Sequence, residues 1–310
     1  MSDDHVYLSL AEDHEDGDAR WAFGTGFEDP LHGVSTDVPD GVDTAELAAI
    51  CLALGDDALV SAQRLAEWTT RAPELEEEVA LANIGLDLLG QARMLYARCG
   101  QVDGTARGED AYAYFRDAGD FRNVRLAELP TGDFAFSMAR LLVLSSWRLA
   151  HFQHLAGHAD PVLAAVAAKG VKELTYHRQY AAEWVVRLGD GTDESHRRMT
   201  AGLVQVMPYT GELFAAYDAG PEVVAVLRQV TEAAGLPLPG PESMPGTESP
   251  SGTTGLPLPG TKPLPEAAAL PVLPAASLPG SGRDGEHTEH LAPLLAELQS
   301  VARAHPEATW

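Results

Sequence analysis

The chain has 310 residues, 45% of them hydrophobic, and sets 21 Lys and Arg against 46 Asp and Glu for a formal charge of −25. That is enough apolar material for a sizeable core. The acidity argues against nucleic acid or anionic membrane as partners, because binding either calls for a basic stripe. Cys51 and Cys99 are the two cysteines and form no CxxC pair, so neither a disulfide framework nor a thiolate zinc site is expected.

The chain opens MSDDHVYLSLAEDHEDGD, without a basic stretch leading into an apolar one, so no signal peptide is expected. No run approaches the length of a membrane-spanning helix, and the cytoplasm is the expected compartment. Residues 1–43 are rich in Asp, Glu, Gly and Pro and read as an acidic, disordered extension that buries too little apolar surface to offset its ordering entropy. Trp21, Phe23 and Phe27 are its apolar exceptions.

Helical periodicity begins at Thr44 and defines a bundle over 44–234. Leu47, Ile50, Leu54, Leu59, Leu65 and Trp68 recur at helical spacing, with Asp43 or Thr44 as N-cap and Glu46 in the first turn. After Pro73, the acidic run Glu74, Glu76, Glu77 and Glu78 suits the positive end of a second helix. That helix, VALANIGLDLLGQARMLYARCG, is apolar around much of its circumference, which predicts a central position. Gly85 and Gly90 within it are expected to admit a close neighbour.

Residues 100–132 read as a connection with a short helix near Glu109–Phe115. A third long helix, FAFSMARLLVLSSWRLAHFQHLAG, ends at Gly157, and a fourth opens at Asp160-Pro161 and stops at Gly189–Gly191. A fifth spans about Asp193–Ala219 with a kink near Pro208, and a sixth starts at Pro221. Two helical hairpins joined by a longer crossover have the connectivity of a ferritin-like, all-α bundle. Residues 235–283 are Gly- and Pro-rich, repeat GLPLPG, and read as a flexible insertion. Residues 284–310 then form an amphipathic helix with Leu291, Leu294, Leu295, Leu298 and Val301 on its apolar side, returning to the bundle.

A di-iron bundle needs a Glu from each of two helices and Glu-x-x-His from each of the others. At corresponding depths the chain offers Asp56 or Asp57 on the first helix, Asp87 on the second with Gly90 at i+3, and Ser145 and Ser146 on the third. The fourth has Glu173, with Tyr176 at i+3 and His177 at i+4. The ligand set is degenerate, and no residue of this chain is assigned to catalysis, metal or cofactor. A paired polar core is the plainer reading, with Glu173 on His177, Arg140 or Arg148 and Asp87 on Asn83, Gln91 or a neighbouring helix. An atypical metal site around Asp87, Glu173 and His177 is the alternative. His287-Thr288-Glu289-His290 has two imidazoles three apart but no completing ligands, and reads as a terminal cap or a subunit contact.

The strings SAQRLAEW, APELEEEVALANIGLDLLGQAR, KELTYH, RLGDGTDES and HTEHLAPLLAELQ resemble the C subunits of bacterial phenylacetyl-CoA epoxidase, over about residues 47–232 and 285–310. The resemblance implies a ferritin-like fold and a non-catalytic role beside a homologous A-type subunit of a monooxygenase complex that degrades an aromatic acid. It places the di-iron centre in that partner, and NADPH, FAD and an iron–sulfur cluster in a separate reductase. Whether this chain is itself an enzyme stays open at this point. A ferritin-like storage protein is disfavoured by the asymmetric loss of ligands.

Overall fold

The structure is a computed structural model that describes residues 31–217, 219–236 and 280–308. Backbone contacts group Met1–Gly33 as one unit and Val34–Trp310 as another. Among the described residues the helices of the second unit are α1 (Thr44–Ala66), α2 (Leu75–Val102), α3 (Glu109–Tyr114), α4 (Arg125–Glu128), α5 (Phe134–Leu155), α6 (Pro161–Gly189), α7 (Asp193–Val206), α8 (Thr210–Ala216), α9 (Gly220–Ala233), α10 (Leu291–Leu298) and α11 (Ser300–Ala304). No strand occurs among the described residues.

The helix starts follow from local chemistry. Asp43 accepts from the amides of Ala45 and Glu46 at 2.8 and 3.2 Å, Asp133 from Phe136 at 2.9 Å and Asp160 from Leu163 at 2.8 Å. Each carboxylate satisfies donors that have no carbonyl one turn back. At α7 Thr192 accepts from the Ser195 amide at 3.2 Å, and the Ser195 hydroxyl accepts from the Thr192 amide at 2.9 Å, closing a capping box. Pro208 lies in a 3-10 turn, Met207–Tyr209, that separates α7 from α8; the expected kinked helix is two helices, since proline has no amide to continue the ladder.

α1 packs along α2 and α5 along α6, and α2 meets α6 to join the two hairpins. The link between α2 and α5 carries α3 and α4, while α7 and α9 cover the second hairpin. This is a ferritin-like helical bundle, as its connectivity implies. Its central element is α5, not α2. Phe136, Met138, Leu142, Val143, Trp147 and Phe152 are buried on several sides of α5, whereas α2 exposes Leu75, Val79, Leu86 and Leu89. Both helices are apolar nearly all round; α5 alone has neighbours on every side. Gly202 permits one of these contacts, because a Cβ there would lie 3.0 Å from the Phe136 Cα, so α7 seats on the backbone of α5. Gly85 faces Ala62 and Leu65 of α1, but a Cβ on Gly90 would meet nothing within 4 Å, so Gly90 mediates no close approach.

Residues 34–43 are turns within the bundle's own unit, and the Thr36 carbonyl accepts from Arg98 Nη1 at 2.8 Å. Trp21, Phe23, Phe27 and the rest of the first thirty residues lie outside the described residues, as do 237–279 with most of the Pro-rich repeat. The chain re-enters the described structure at Gly280. Ser281 bonds Glu212 at 3.1 Å, Gly282 is buried, and Leu291, Leu294 and Leu295 sit in the core. Val301 is 58% exposed; α10 ends at Leu298 before the stripe reaches it.

Candidate functional site

Two adjacent aspartates on α1 organise the bundle centre. A 100° turn per residue aims Asp56 and Asp57 at different neighbours. Asp56 is fully buried and accepts from Tyr96 Oη at 2.6 Å, the Arg122 amide at 2.7 Å and Arg116 Nη1 at 3.1 Å. Arg116 Nη2 also pairs with it, and that guanidinium lies 4.1 Å from the Phe121 ring centroid. Burial raises the Tyr96 hydroxyl far above its usual range, so it stays a donor to the carboxylate. Asp57 accepts from the Val124 amide at 2.8 Å and from Arg283 at 2.6 and 3.2 Å, with Arg148 Nη1 3.9 Å away.

From Arg148 a chain of polar contacts crosses to α2 and α6. Its Nε donates to Gln91 Oε1 at 3.1 Å, Gln91 Nε2 donates to Glu173 at 2.8 Å, and Lys169 pairs with Glu173 one turn away on α6. Gln91 and Arg148 are buried, and the Arg148 guanidinium lies 4.6 Å from the centroid of Phe152. His177 is buried and contacts Asp87 at 3.0 Å, but the Asp87 side chain is 37% exposed at the bundle margin. The candidate residues thus separate into different pairs. Glu173 bonds Gln91 and Lys169 instead of His177 or an arginine, and of the partners expected for Asp87 it is a neighbouring helix, through His177, that bonds it and not Asn83 or Gln91. Gly90 faces open space and Tyr176 is 48% exposed; the inward residue of that turn of α2 is Gln91, at i+4 from Asp87. Ser145 donates weakly to the Leu142 carbonyl at 3.4 Å, and the buried Ser146 hydroxyl has no partner among the described residues.

A cavity of about 30 Å³, enough for one or two waters, lies at this centre and is lined by Asp57, Arg64, Arg140, Ser145, Arg148 and His177 among others. These donors do not suit a di-iron centre, which needs anionic oxygens and neutral nitrogens converging on the metals. Here guanidinium groups stand in that space, and the carboxylates are already bonded to cations and amides. Among the described residues, one set of three His, Cys or carboxylate groups brings its ligand atoms within 4.8 Å, namely Glu74, Glu76 and Glu77 at the start of α2, remote from the centre. Asp87, Glu173 and His177 form no such set.

The terminal histidines divide. His287 Nδ1 contacts Glu128 at 2.6 Å and its Nε2 contacts the Phe121 carbonyl at 3.0 Å, both inside the bundle. Glu128 also accepts from the Thr288 amide at 2.6 Å and from Asn123 at 2.9 Å. His290 stays near the surface, 4.0 Å from the exposed Glu289. His287 is thus a tie between the C-terminal segment and the crossover. Sequence reasoning missed Arg116, Glu128, Tyr96 and Arg283 in this network. Their signal is faint: Arg283 is simply the last residue of the Pro-rich stretch, whose other basic residue is Lys262.

All of this defines a class of protein, a ferritin-like bundle whose centre is filled by guanidinium–carboxylate contacts. The family model described as "Phenylacetic acid catabolic protein" matches residues 34–236. The chain is also 38% identical over 269 residues to the C subunit of the 1,2-phenylacetyl-CoA epoxidase of Escherichia coli (strain K12), covering 86% of this chain and 99% of that relative. The chain belongs to the phenylacetic acid catabolic protein family. Among its described residues no helix is long and apolar enough to cross a membrane.

Proposed function

We propose that this chain is the supporting, non-catalytic subunit of a phenylacetyl-CoA epoxidase complex acting in phenylacetate breakdown. The relative's name as a lettered subunit supports membership of a multisubunit assembly. The observation that carries the supporting role is the bundle centre, where Arg148 stands between Asp57 and Gln91. A cation at that point opposes metal binding electrostatically. In this reading the di-iron centre and the CoA-thioester site belong to a homologous catalytic subunit, and the electrons come from a separate NADPH-dependent flavin and iron–sulfur reductase.

What this chain supplies is a rigid wall of helices. Its centre is cross-linked by charged hydrogen bonds that tie α1, α2, α5, α6 and the C-terminal segment together. Such a bundle presents fixed surfaces to a partner without a conformational cost at docking. The alternative, a metalloenzyme built on Asp87, Glu173 and His177, lacks convergence of those three side chains.

The test is co-expression with a homologue that carries a complete di-iron ligand set, followed by purification and iron determination on each separated subunit. Iron confined to the partner, and turnover that requires both chains, is the expected result. Stoichiometric iron on this chain, with oxygen consumption by it alone, overturns the proposal.

A further inference from the structure

The central cavity holds more positive charge than its neighbours compensate. Three arginines line it, Arg64, Arg140 and Arg148, against one carboxylate, Asp57. Arg64 is answered by Glu67 at 2.5 Å and by the Glu128 carbonyl at 2.6 and 2.9 Å. Arg140 donates to the carbonyls of Leu129 and Pro130 and makes no ion pair within 4.0 Å among the described residues. Asp57 is engaged by Arg283 through both oxygens, which leaves Arg148 a longer contact of 3.9 Å.

The two terminal nitrogens of Arg148, Nη1 and Nη2, are buried and have no hydrogen-bond partner among the described residues. The residue is only 4% exposed. Unsatisfied donors on a buried guanidinium are costly. Burial lowers both Arg140 and Arg148 to about 10, which still leaves each cationic at neutral pH. His177 shares the same cavity wall, with its Nε2 turned to Asp87.

We infer that the cavity at the bundle centre is a binding site for one small monovalent anion of chloride size, held by Arg148 Nη1 and Nη2. Size and chemistry agree on that occupant. The space of about 30 Å³ is enough for one or two water-sized occupants, a halide among them. Between halide and water, charge decides. An anion accepts from every N–H and neutralises the surplus charge, whereas a water leaves the surplus in place and needs acceptors for its own protons. The site thus takes a negative charge where a catalytic bundle would take positive metal. This inference concerns the interior of this chain and stands apart from its proposed role beside a catalytic partner.

The experiment uses the full-length chain and sodium chloride titrated against sodium gluconate at constant ionic strength. Chloride binds only the folded state, so at ten times its dissociation constant the folding equilibrium shifts by a factor of about eleven. The unfolding midpoint then rises by about 3–6 °C and goes on rising with the logarithm of chloride concentration. Arg148→Met, which keeps length and removes charge, abolishes the chloride-specific rise. Since that variant risks poor folding, crystals of the unaltered protein soaked in bromide give a second reading. An anomalous peak within hydrogen-bond distance of Arg148 Nη1 or Nη2 supports the site. Identical midpoints in chloride and gluconate, together with no bromide peak in the cavity, mean that it holds water only and overturn the inference.

Discussion

Arg283 sets its guanidinium against the carboxylate of Asp57, 226 positions earlier in the chain, with Nη2 2.6 Å from Oδ2. The same guanidinium donates to the Ala53 carbonyl at 3.0 Å and to the Arg122 carbonyl. One side chain at the end of the Pro-rich segment thereby closes α1 onto the crossover. Removing it leaves Asp57 with the Val124 amide and, as its cation, only the distant Arg148. Arg283→Ala is expected to lower stability by about 3 kcal/mol, because a buried charge loses its main partner. In a double-mutant cycle with Asp57→Asn, the two changes should couple by about 1–3 kcal/mol. Urea unfolding of the four proteins measures both; additive losses would show that Arg283 acts through its other contacts.

Tyr96 supports the second aspartate, and its ring also roofs Gly55. A Cβ at Gly55 would approach Tyr96 Cε1 to 2.6 Å. Gly55→Ala is expected to cost about 1–3 kcal/mol through overpacking, even though alanine is the better helix former. Tyr96→Phe keeps the ring and deletes the 2.6 Å donor to Asp56, with an expected loss of about 1–3 kcal/mol. Chemical denaturation of each variant checks the sign and size.

His151 supplies a pH dependence. Its ring stacks on Tyr217 with centroids 4.1 Å apart, and burial lowers it to about 3, with Arg148 and Arg283 adding to the effect. Neutral in the fold, it titrates near 6.5 when unfolded. Its contribution is therefore complete above 6.5 and is lost as pH falls towards 3, at about 1.4 kcal/mol per unit once well below 6.5. The non-titrating variant His151→Phe should flatten that part of the stability profile between pH 6 and 4. Parallel profiles for the two proteins would refute the assignment.

Restoring one carboxylate should not restore a metal site. Ser145 and Arg148 lie three apart on α5 and face the same cavity. Ser145→Glu is expected to pair with Arg148 and to bind no iron above the level of the unaltered chain. Iron analysis after refolding in ferrous solution decides it; one or more equivalents retained by the variant would mean that the guanidiniums yield to metal.

Much of the bundle was legible because its signals are local. Asp43, Asp133 and Asp160 cap helices a few residues away, and Pro208 and Gly189 end them wherever they occur. The choice of central helix was not legible, since α2 and α5 are similarly apolar and periodicity reports a helix's faces without naming what covers them. The candidate site was half legible. Asp57, Glu173 and His177 do turn inward or nearly so, but counting i+3 from Asp87 selected Gly90, where the helix faces outward, and passed over Gln91. A count of positions takes its register from an assumed inward residue, and Asp87 sits at the margin.

The chain's order of polar and apolar residues was sufficient to determine helices, their caps, the paired hairpins and the lack of a regular Glu-x-x-His set. Those properties depend on neighbours within about one turn or on simple presence of a residue type. Only the tertiary structure decided that Arg283 and His287 enter the bundle, that Asp57 serves two arginines, and that the space between four helices is lined by guanidinium. Each of these joins residues far apart in the chain, and the partner of a buried charge is chosen by where desolvation must be offset, which no local pattern records.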